Sequence, residues 1–426
     1  MKETRKYKQT ELGLLPEDWE VAKLGEKFRF ISNNTFSRDF LCEDGEIKNI
    51  HYGDVLIKYG STLDVSQSDI PALNSELLPS YQPKCFAEDG DIIIADTAED
   101  ETVCKATELW NIGGKRVVAG LHTMWCRPAQ NTFAIKFLGY FMNTSLYHNQ
   151  VLPLIQGIKV SSVSKSAIQG TWLCIPPIEE QRRIASALTS IDNLIDSLDR
   201  LIAKKRDIKQ GAMQQLLSGK KRLKGFTEPW VEKKLGDMAE TASGGTPSRS
   251  NIDYYKGHIC WFTTSELTDN YLYDSNEHIT NEALSCSSAK LFPTGTLLIA
   301  MYGATIGRLG ILCTEAATNQ ACCAINCQKI DTIFLFYLLL LNRPNIIELG
   351  CGAGQPNISQ DIVKNLEFIV PSSLTEQQAI ASVLTSMDNE LSALEAKRKK
   401  YEQIKQGMMQ QLLTGKIRLE NASTVH

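Results

Sequence analysis

The residues of this chain best equipped for chemistry sit in one short run, Ser243-Gly244-Gly245-Thr246-Pro247-Ser248-Arg249. Its hydroxyls, backbone amides and guanidinium are groups that contact phosphate oxygens or base edges, and Gly245, Thr246, Ser248 and Arg249 are the candidate contacts. A plain glycine turn would use the same residues, so on this run alone binding and structure stand even. Downstream, Tyr302, Arg308, Asn319 and Gln320 add side chains of the right type, since Arg pairs with guanine and Asn or Gln with adenine in the major groove. In the first half of the chain Lys58, Tyr59, Lys115, Arg116, Lys159 and Ser161 take the comparable part. Gly157-Ile158-Lys159-Val160-Ser161 lies ahead of a long periodic block, and Gly354-Gln355-Pro356-Asn357-Ile358 holds the same place later, which adds Gln355 and Asn357. Surface lysines are most often simply solvated, so each alone weighs little.

No catalytic constellation accompanies these groups. The sequence has no Gly-x-x-x-x-Gly-Lys-Ser/Thr phosphate loop, no Gly-x-Gly-x-x-Gly after a strand, no His-Glu-x-x-His and no Gly-x-Ser-x-Gly elbow. It also has no Asn/Asp-Pro-Pro-Tyr/Phe run of the kind found in amino-methyltransferases. Ile175-Pro176-Pro177-Ile178 comes nearest and reads instead as an extended approach to a helix, because the residue before a proline is pushed out of the helical region. Glu99-Asp100-Glu101 reads as a solvated loop, since consecutive carboxylates rarely converge on one ion. Of the twelve cysteines only Cys322, Cys323 and Cys327 are close together, with no Cys-x-x-Cys pair, so free buried thiols are expected and no metal site is assigned.

The elements that would position the loops come from an internal repeat. Glu180 to Leu223 and Glu376 to Leu419 match at 25 of 44 positions when aligned at an offset of 196. Ile184, Leu188, Ile191, Ile195, Leu198 and Ile202 alternate steps of four and three, and Ile380, Leu384, Met387, Leu391 and Leu394 repeat the pattern, which predicts two amphipathic helices with coiled-coil seams. Gly219 and Gly415 supply matched helix stops. Each helix could pack on its own domain, yet two near-identical seams favour pairing with each other. The basic runs Lys204-Lys205-Arg206 and Lys397-Arg398-Lys399-Lys400 suit the macrodipole and shield a seam better than they argue for nucleic acid.

The repeat is larger than the helix. A lead-in segment carries Trp19, Leu24 and Gly25 before the first copy and Trp230, Leu235 and Gly236 before the second. The tail after the second helix resembles what would precede the first lead-in if the chain were closed into a circle, so the termini are expected to lie close together. Between lead-in and helix lie two α+β regions. Asp91 to Ala95 and Arg116 to Val118 read as strands and Phe133 to Met142 as a helix; Thr296 to Ala300 takes the place of the first strand, and a helix around Phe334 and Tyr337 matches Phe137 and Tyr140. The expected division is 1–175, first region with its lead-in; 176–219, first helix; 220–370, second region with its lead-in; 371–426, second helix and tail. Helices that stay alike while loops diverge suggest two sites performing one kind of task on different targets.

Composition sets wide bounds: 43% hydrophobic and 22% charged residues are ordinary for a globular chain, and a net charge of −4 argues against broad nucleic-acid coating without excluding a local basic face. The N-terminal stretch has no signal-peptide pattern and the longest apolar run, Ile333 to Leu341, is about half of the roughly 20 residues of a membrane span, so a cytoplasmic protein is expected.

On the order of region, helix, region and helix, and on the phrases EQRRIASALTSID with IKQGAMQQLLSGKKRL, their second copies, and SGGTPSR with YGATIGRLG, the chain resembles the specificity subunit of type I restriction-modification systems. The resemblance implies two target-recognition domains of one α/β fold, joined by two helices in an antiparallel coiled coil with pseudo-twofold symmetry, each domain reading one half of a split, asymmetric double-stranded DNA site. It implies no cofactor in this chain. S-adenosylmethionine belongs to modification subunits, two of them, docked around the helices, and ATP and Mg to a restriction subunit that joins them. One departure matters, because the first region lacks the Gly-Gly-Thr-Pro phrase and contacts inferred for the second cannot be copied onto it. The competing reading is a protein–protein scaffold with no nucleic-acid role.

Overall fold

The computed structural model describes residues 6–77, 81–157, 160–350 and 357–419. The chain forms two compact units, residues 1–199 with 397–426 and residues 200–396. Both unit boundaries fall inside the long helices, Ile178–Leu216 and Leu374–Leu412. Each unit therefore contains the first part of one helix and the last part of the other.

In the first unit a five-stranded sheet runs in the order Phe28–Ile31, Thr123–Pro128, Ile92–Ala95, Ala106–Trp110, Thr62–Asp64. The second unit repeats that order with Ala239–Ser243, Cys322–Cys327, Leu297–Ala300, Leu309–Leu312, Asn270–Leu272. The central strands are apolar at every position because both faces are covered. Ile92 and Ile94 face the core that contains the helices, whereas Ile93 and Ala95 face a second core; Leu297 and Ile299 against Leu298 and Ala300 divide likewise. A four-stranded sheet completes each unit. Arg116–Ala119 parallel to Ile47–Ile50, with Ala72–Leu73 antiparallel beyond, matches Ala316–Thr318, Ile259–Phe262 and Glu277–Ile279. The fourth strand differs: Leu41–Cys42 joins Ala72–Leu73 in the first unit, and Leu291–Phe292 joins Ala316–Thr318 in the second. One fold is thus present twice, with divergence at the outer strand.

The helix expected from Phe133 is shorter than its apolar pattern, spanning Phe137–Met142, because Lys136 sits in the left-handed region at φ 76° and starts the helix late. Its counterpart Thr332–Leu349 has 18 residues and a mean hydropathy of 1.3, a length a membrane span could use. Phe334 to Leu339 are nevertheless buried in the core of the second unit, which gives that run its apolar character. Cys322 and Cys323, adjacent on one strand, point into opposite cores.

The long helices do two things with one stripe. Ile184, Ala185 and Leu188 complete the core of the first unit, and Leu412 and Leu413 from the end of the other helix join them. In the second unit Ile380, Ala381 and Leu384 are joined by Met213, Leu216 and Leu217. Beyond these, paired charges show the helices running in opposite directions: Asp192–Lys405 at 2.6 Å and Asp199–Arg398 in the first unit, Arg206–Glu395 at 2.5 Å and Lys209–Asp388 in the second. The basic runs are therefore engaged in part across the seam, through Arg206 and Arg398, and Lys205 pairs with Glu390.

A buried carboxylate closes each unit. Glu180, 2% exposed, accepts from the Trp19 indole at 3.0 Å and from Arg418 Nε at 2.8 Å, and Arg418 also holds both Asp18 oxygens at 2.7 Å. Glu376, 0% exposed, accepts from the Trp230 indole at 3.4 Å and from Arg222 Nε at 2.9 Å. The arginine's hydrogen bond holds Asp18 below the usual carboxylate range. Asp18 thus adds stability above that range and loses it as the pH falls through the lowered value. With the Tyr7 hydroxyl donating to the Gly415 carbonyl at 3.3 Å, the two described ends of the chain meet in the first unit.

Removing the guanidinium leaves a buried glutamate without its charge partner. Arg418→Ala should lower unfolding stability by about 2–3 kcal/mol, somewhat under the range for fully buried pairs because the arginine is partly exposed, and Arg222→Ala should shift it in the same direction. Urea unfolding of the full chain measures this. A loss below about 0.5 kcal/mol, the surface-pair range, would show that the closure carries no weight.

Candidate nucleic-acid interface

The candidate contacts of the second unit collect at one end of its five-stranded sheet, just past the central strand Leu297–Ala300. Met301 donates its backbone N–H to Ala321 at 2.8 Å, which sets Tyr302 beside the Asn319-Gln320 turn. Arg308 returns opposite Ala300, whose N–H it accepts at 2.8 Å, and its exposed side chain has no partner among the described residues. Tyr302, 41% exposed, bridges to Asn357. Gly245 donates to the Thr318 carbonyl at 2.8 Å, and the Thr246 hydroxyl donates to Gln320. Gly245, Thr246, Tyr302, Arg308, Asn319, Gln320 and Asn357 therefore form one strip. Ser248 bonds Ser250 at 2.7 Å one turn further out. Gln355 lies outside the described residues.

Arg249 is framed rather than free. Its guanidinium pairs with Glu277, one bond being 2.8 Å, and lies 4.2 Å from the Tyr255 ring centroid and 5.1 Å from that of Trp261. Trp261 in turn donates to the Gly245 carbonyl at 3.0 Å. The loop is thus tied to its arginine through an aromatic, which fixes the plane in which the guanidinium is presented. The carboxylate holds Arg249 charged and the arginine holds Glu277 low, in both cases chiefly through their hydrogen bond.

The first unit spreads its candidates. Lys58 donates to the Asp69 carbonyl at 2.6 Å and Lys115 to Val65 and Ser66 at 2.9 and 3.2 Å, so both ammonium groups pin the loop that follows Thr62–Asp64. Arg116 pairs with Glu46 and lies over Phe86. Tyr59 is a correction: it is 4% exposed inside the second core, where burial pushes its phenol up, so no solvent-borne ligand reaches it. Ser161 pairs with Ala98 just past Ala95, the opposite end of the central strand from the loop pinned by Lys115. Lys159 lies outside the described residues.

The equivalent of the second unit's strip is instead at the Ser161 end. Thr97↔Ser162 repeats Tyr302↔Asn357, and Val163 bonds Asp96 at 3.0 Å as Ile358 bonds Met301 at 2.9 Å. This end also holds Thr97 and His122, whose Oγ1 and Nδ1 are 3.4 Å apart, and Tyr52, which meets the His122 ring edge-on at 5.3 Å; none of the three stood out in the sequence. A counterpart of the glycine loop lies here as well. Asn34 donates to Ala119 at 3.0 Å as Gly245 does to Thr318, which aligns Ser32-Asn33-Asn34-Thr35-Phe36-Ser37-Arg38 with Ser243 to Arg249. Arg38 pairs with Asp54 at 2.9 Å where Arg249 pairs with Glu277. The two loops share a Ser-x-x-Thr-x-Ser-Arg frame, a sequence signal masked by the exchange of both glycines and the proline.

Two units of one fold, each presenting hydroxyl, amide and arginine groups on equivalent loops, define a chain with two comparable binding edges. The chain belongs to the specificity subunits of type I restriction-modification systems: the type I restriction modification DNA specificity domain matches residues 16–204 and again residues 227–406. The type I restriction enzyme MjaVIII specificity subunit of Methanocaldococcus jannaschii is 26% identical over 442 residues, covering 96% of this chain and 95% of that one. Solved structures share the fold. One, from work on complex assembly and conformational transition of a type I R-M system, has a TM-score of 0.61 at 17% identity, covering 95% of this chain and 99% of its own. The S subunit from M. genitalium has a TM-score of 0.57 at 13% identity, with 92% and 96% covered.

Gly245 is required by space, since a Cβ there would lie 2.3 Å from the Ser288 carbonyl carbon, whereas one at Gly211 would meet nothing within 4 Å. Gly245→Ala should cost about 1–3 kcal/mol through overpacking, and Gly211→Ala should add about 0.5–1 kcal/mol of helix stability. Denaturant midpoints compare the two; equal effects of the same sign would contradict the tight seating of the loop.

Proposed function

We propose that each unit's loop edge reads one half of a bipartite, asymmetric double-stranded DNA site, and that the two long helices set the distance between the halves. The observation that supports this best is the matched pair of edges: Asn34–Ala119 and Gly245–Thr318 hold equivalent loops, while the side chains on those loops differ. Equal scaffolds with unequal side chains suit two half-sites of different sequence. A helix of 39 residues rises about 58 Å at about 1.5 Å per residue, enough to pass the roughly 34–36 Å of one DNA turn.

The chain itself carries no catalysis in this reading. Two methyltransferase subunits using S-adenosylmethionine dock on the helices and modify an adenine in each half-site, flipping it out of the stack, because chemistry on a stacked base is blocked. A restriction subunit using ATP and Mg joins them to cleave DNA. The complex works in the cytoplasm without a membrane. In the second unit the contacts are Gly245, Thr246, Ser248, Arg249, Tyr302, Arg308, Asn319, Gln320, Gln355 and Asn357. In the first they are Lys159 and Ser161, with Thr97, His122 and Arg38 added from the alignment of the two edges, whereas Lys58, Lys115 and Arg116 lie towards the opposite end of the strands and stand outside that edge. Net acidity is compatible with this, because the cations needed are local.

Replacing residues 26–174 by the corresponding region of another such subunit should change one half of the methylated sequence and leave the other half and the spacing intact. Methylation mapping of cells carrying the hybrid and the modification subunit reads this directly. A hybrid that alters both halves together would overturn the modular reading.

A further inference from the structure

On the face of the second unit's smaller sheet opposite Trp261 and Glu277, three side chains with ligand chemistry converge. Cys260 and His278 are cross-strand partners of Ile259–Phe262 and Glu277–Ile279, and the register that pairs them also pairs Trp261 with Glu277. Because successive side chains alternate faces, the Cys–His pair lies behind the aromatic and carboxylate that frame Arg249. Asp274 comes from the loop before the second strand. Cys260 Sγ is 3.5 Å from Asp274 Oδ1 and 3.7 Å from His278 Nε2, and those last two atoms are 2.8 Å apart.

These separations are close to what one tetrahedral ion requires. With metal–sulfur near 2.3 Å and metal–nitrogen and metal–oxygen near 2.0–2.2 Å, ligand atoms stand about 3.3–3.7 Å apart. Two of the three edges already fit, and the third opens by about 0.6 Å when the His278–Asp274 hydrogen bond gives way to the metal. The loop is set for this role. The Ser275 hydroxyl donates to the Glu277 carbonyl at 2.6 Å and accepts from the Trp261 backbone at 2.9 Å, while Asn276 bonds Glu266 at 2.8 Å. Cys260 is 8% exposed, but Asp274 keeps an open side, which leaves an ion a way in.

We propose that Cys260, Asp274 and His278 form a binding site for a thiophilic divalent cation, zinc by its sulfur, nitrogen and oxygen donors, that clamps the two strands behind Arg249. Binding exchanges the Cys260 thiol proton for the metal, takes His278 as neutral imidazole through Nε2, and leaves the fourth tetrahedral position to water. The clamp fixes the strand register on which the Arg249–Glu277 pair depends.

The test uses the full chain purified with its modification partner, and its probes are zinc and cobalt(II). Elemental analysis after dialysis should find one zinc per chain, and cobalt substitution should give a thiolate-to-cobalt charge-transfer band. Cys260→Ser should abolish that band and His278→Gln should weaken cobalt binding by about tenfold or more, while Cys286→Ser, at an exposed thiol, should change neither. The proposal is overturned if the wild-type protein takes up neither metal, or if the band survives in Cys260→Ser. The wild-type titration decides the matter even where a variant fails to fold.

Discussion

Each unit of this protein depends on a buried carboxylate at the start of one long helix that is neutralised from beyond the end of the other. Glu180 and Glu376 sit near the starts of the long helices with almost no exposure, and burying such a charge alone costs several kcal/mol. The arginine that offsets it comes from the tail of the other helix: Arg418 for Glu180, Arg222 for Glu376. Each core therefore holds residues of both helices, so their pairing is built into the cores rather than added to them. The same crossed logic recurs a few turns along. Tyr140 donates to Asp192, which Lys405 also holds, and Tyr337 donates to Asp388, which Lys209 holds.

A scaffold locked this way leaves its loops free to change. The five-stranded sheets keep one strand order, and the bonds Asn34–Ala119 and Val163–Asp96 recur as Gly245–Thr318 and Ile358–Met301. What differs lies at the edges: the position of the fourth strand, Asn34 against Gly245, Asp54 against Glu277 beside the matched arginines. The chemistry of recognition can vary in one unit without touching the interactions that hold either together, which is what a reader of two unlike half-sites needs.

Much of this was legible in the sequence, and what was not has physical reasons. The long helices showed through their steps of three and four, and the central strands through unbroken apolar runs, because burial on a stripe or on both faces leaves no other composition. Phe133 to Met142 looked helical by apolar content, but Lys136 takes a left-handed conformation that pattern cannot reveal. Tyr59 stood with Lys58 among the candidate contacts by residue type, yet the chain turns it inward. The Ser32 to Arg38 loop was hidden because asparagines and a phenylalanine replace the glycines and the proline, and only the shared hydrogen bond to the neighbouring strand aligns it with Ser243 to Arg249. Cys260 and His278 are cross-strand partners far apart in the chain, at no known metal spacing, so their meeting needed the sheet.

The measurement that bears most directly on the central claim, that this chain decides which DNA sequence is modified, is long-read methylation mapping of cells carrying it with its modification subunit, compared with cells lacking this chain alone. A split, asymmetric adenine-methylation motif that vanishes when the chain is deleted is the predicted result. A methylome that stays the same while the modification subunit is present and active would contradict it.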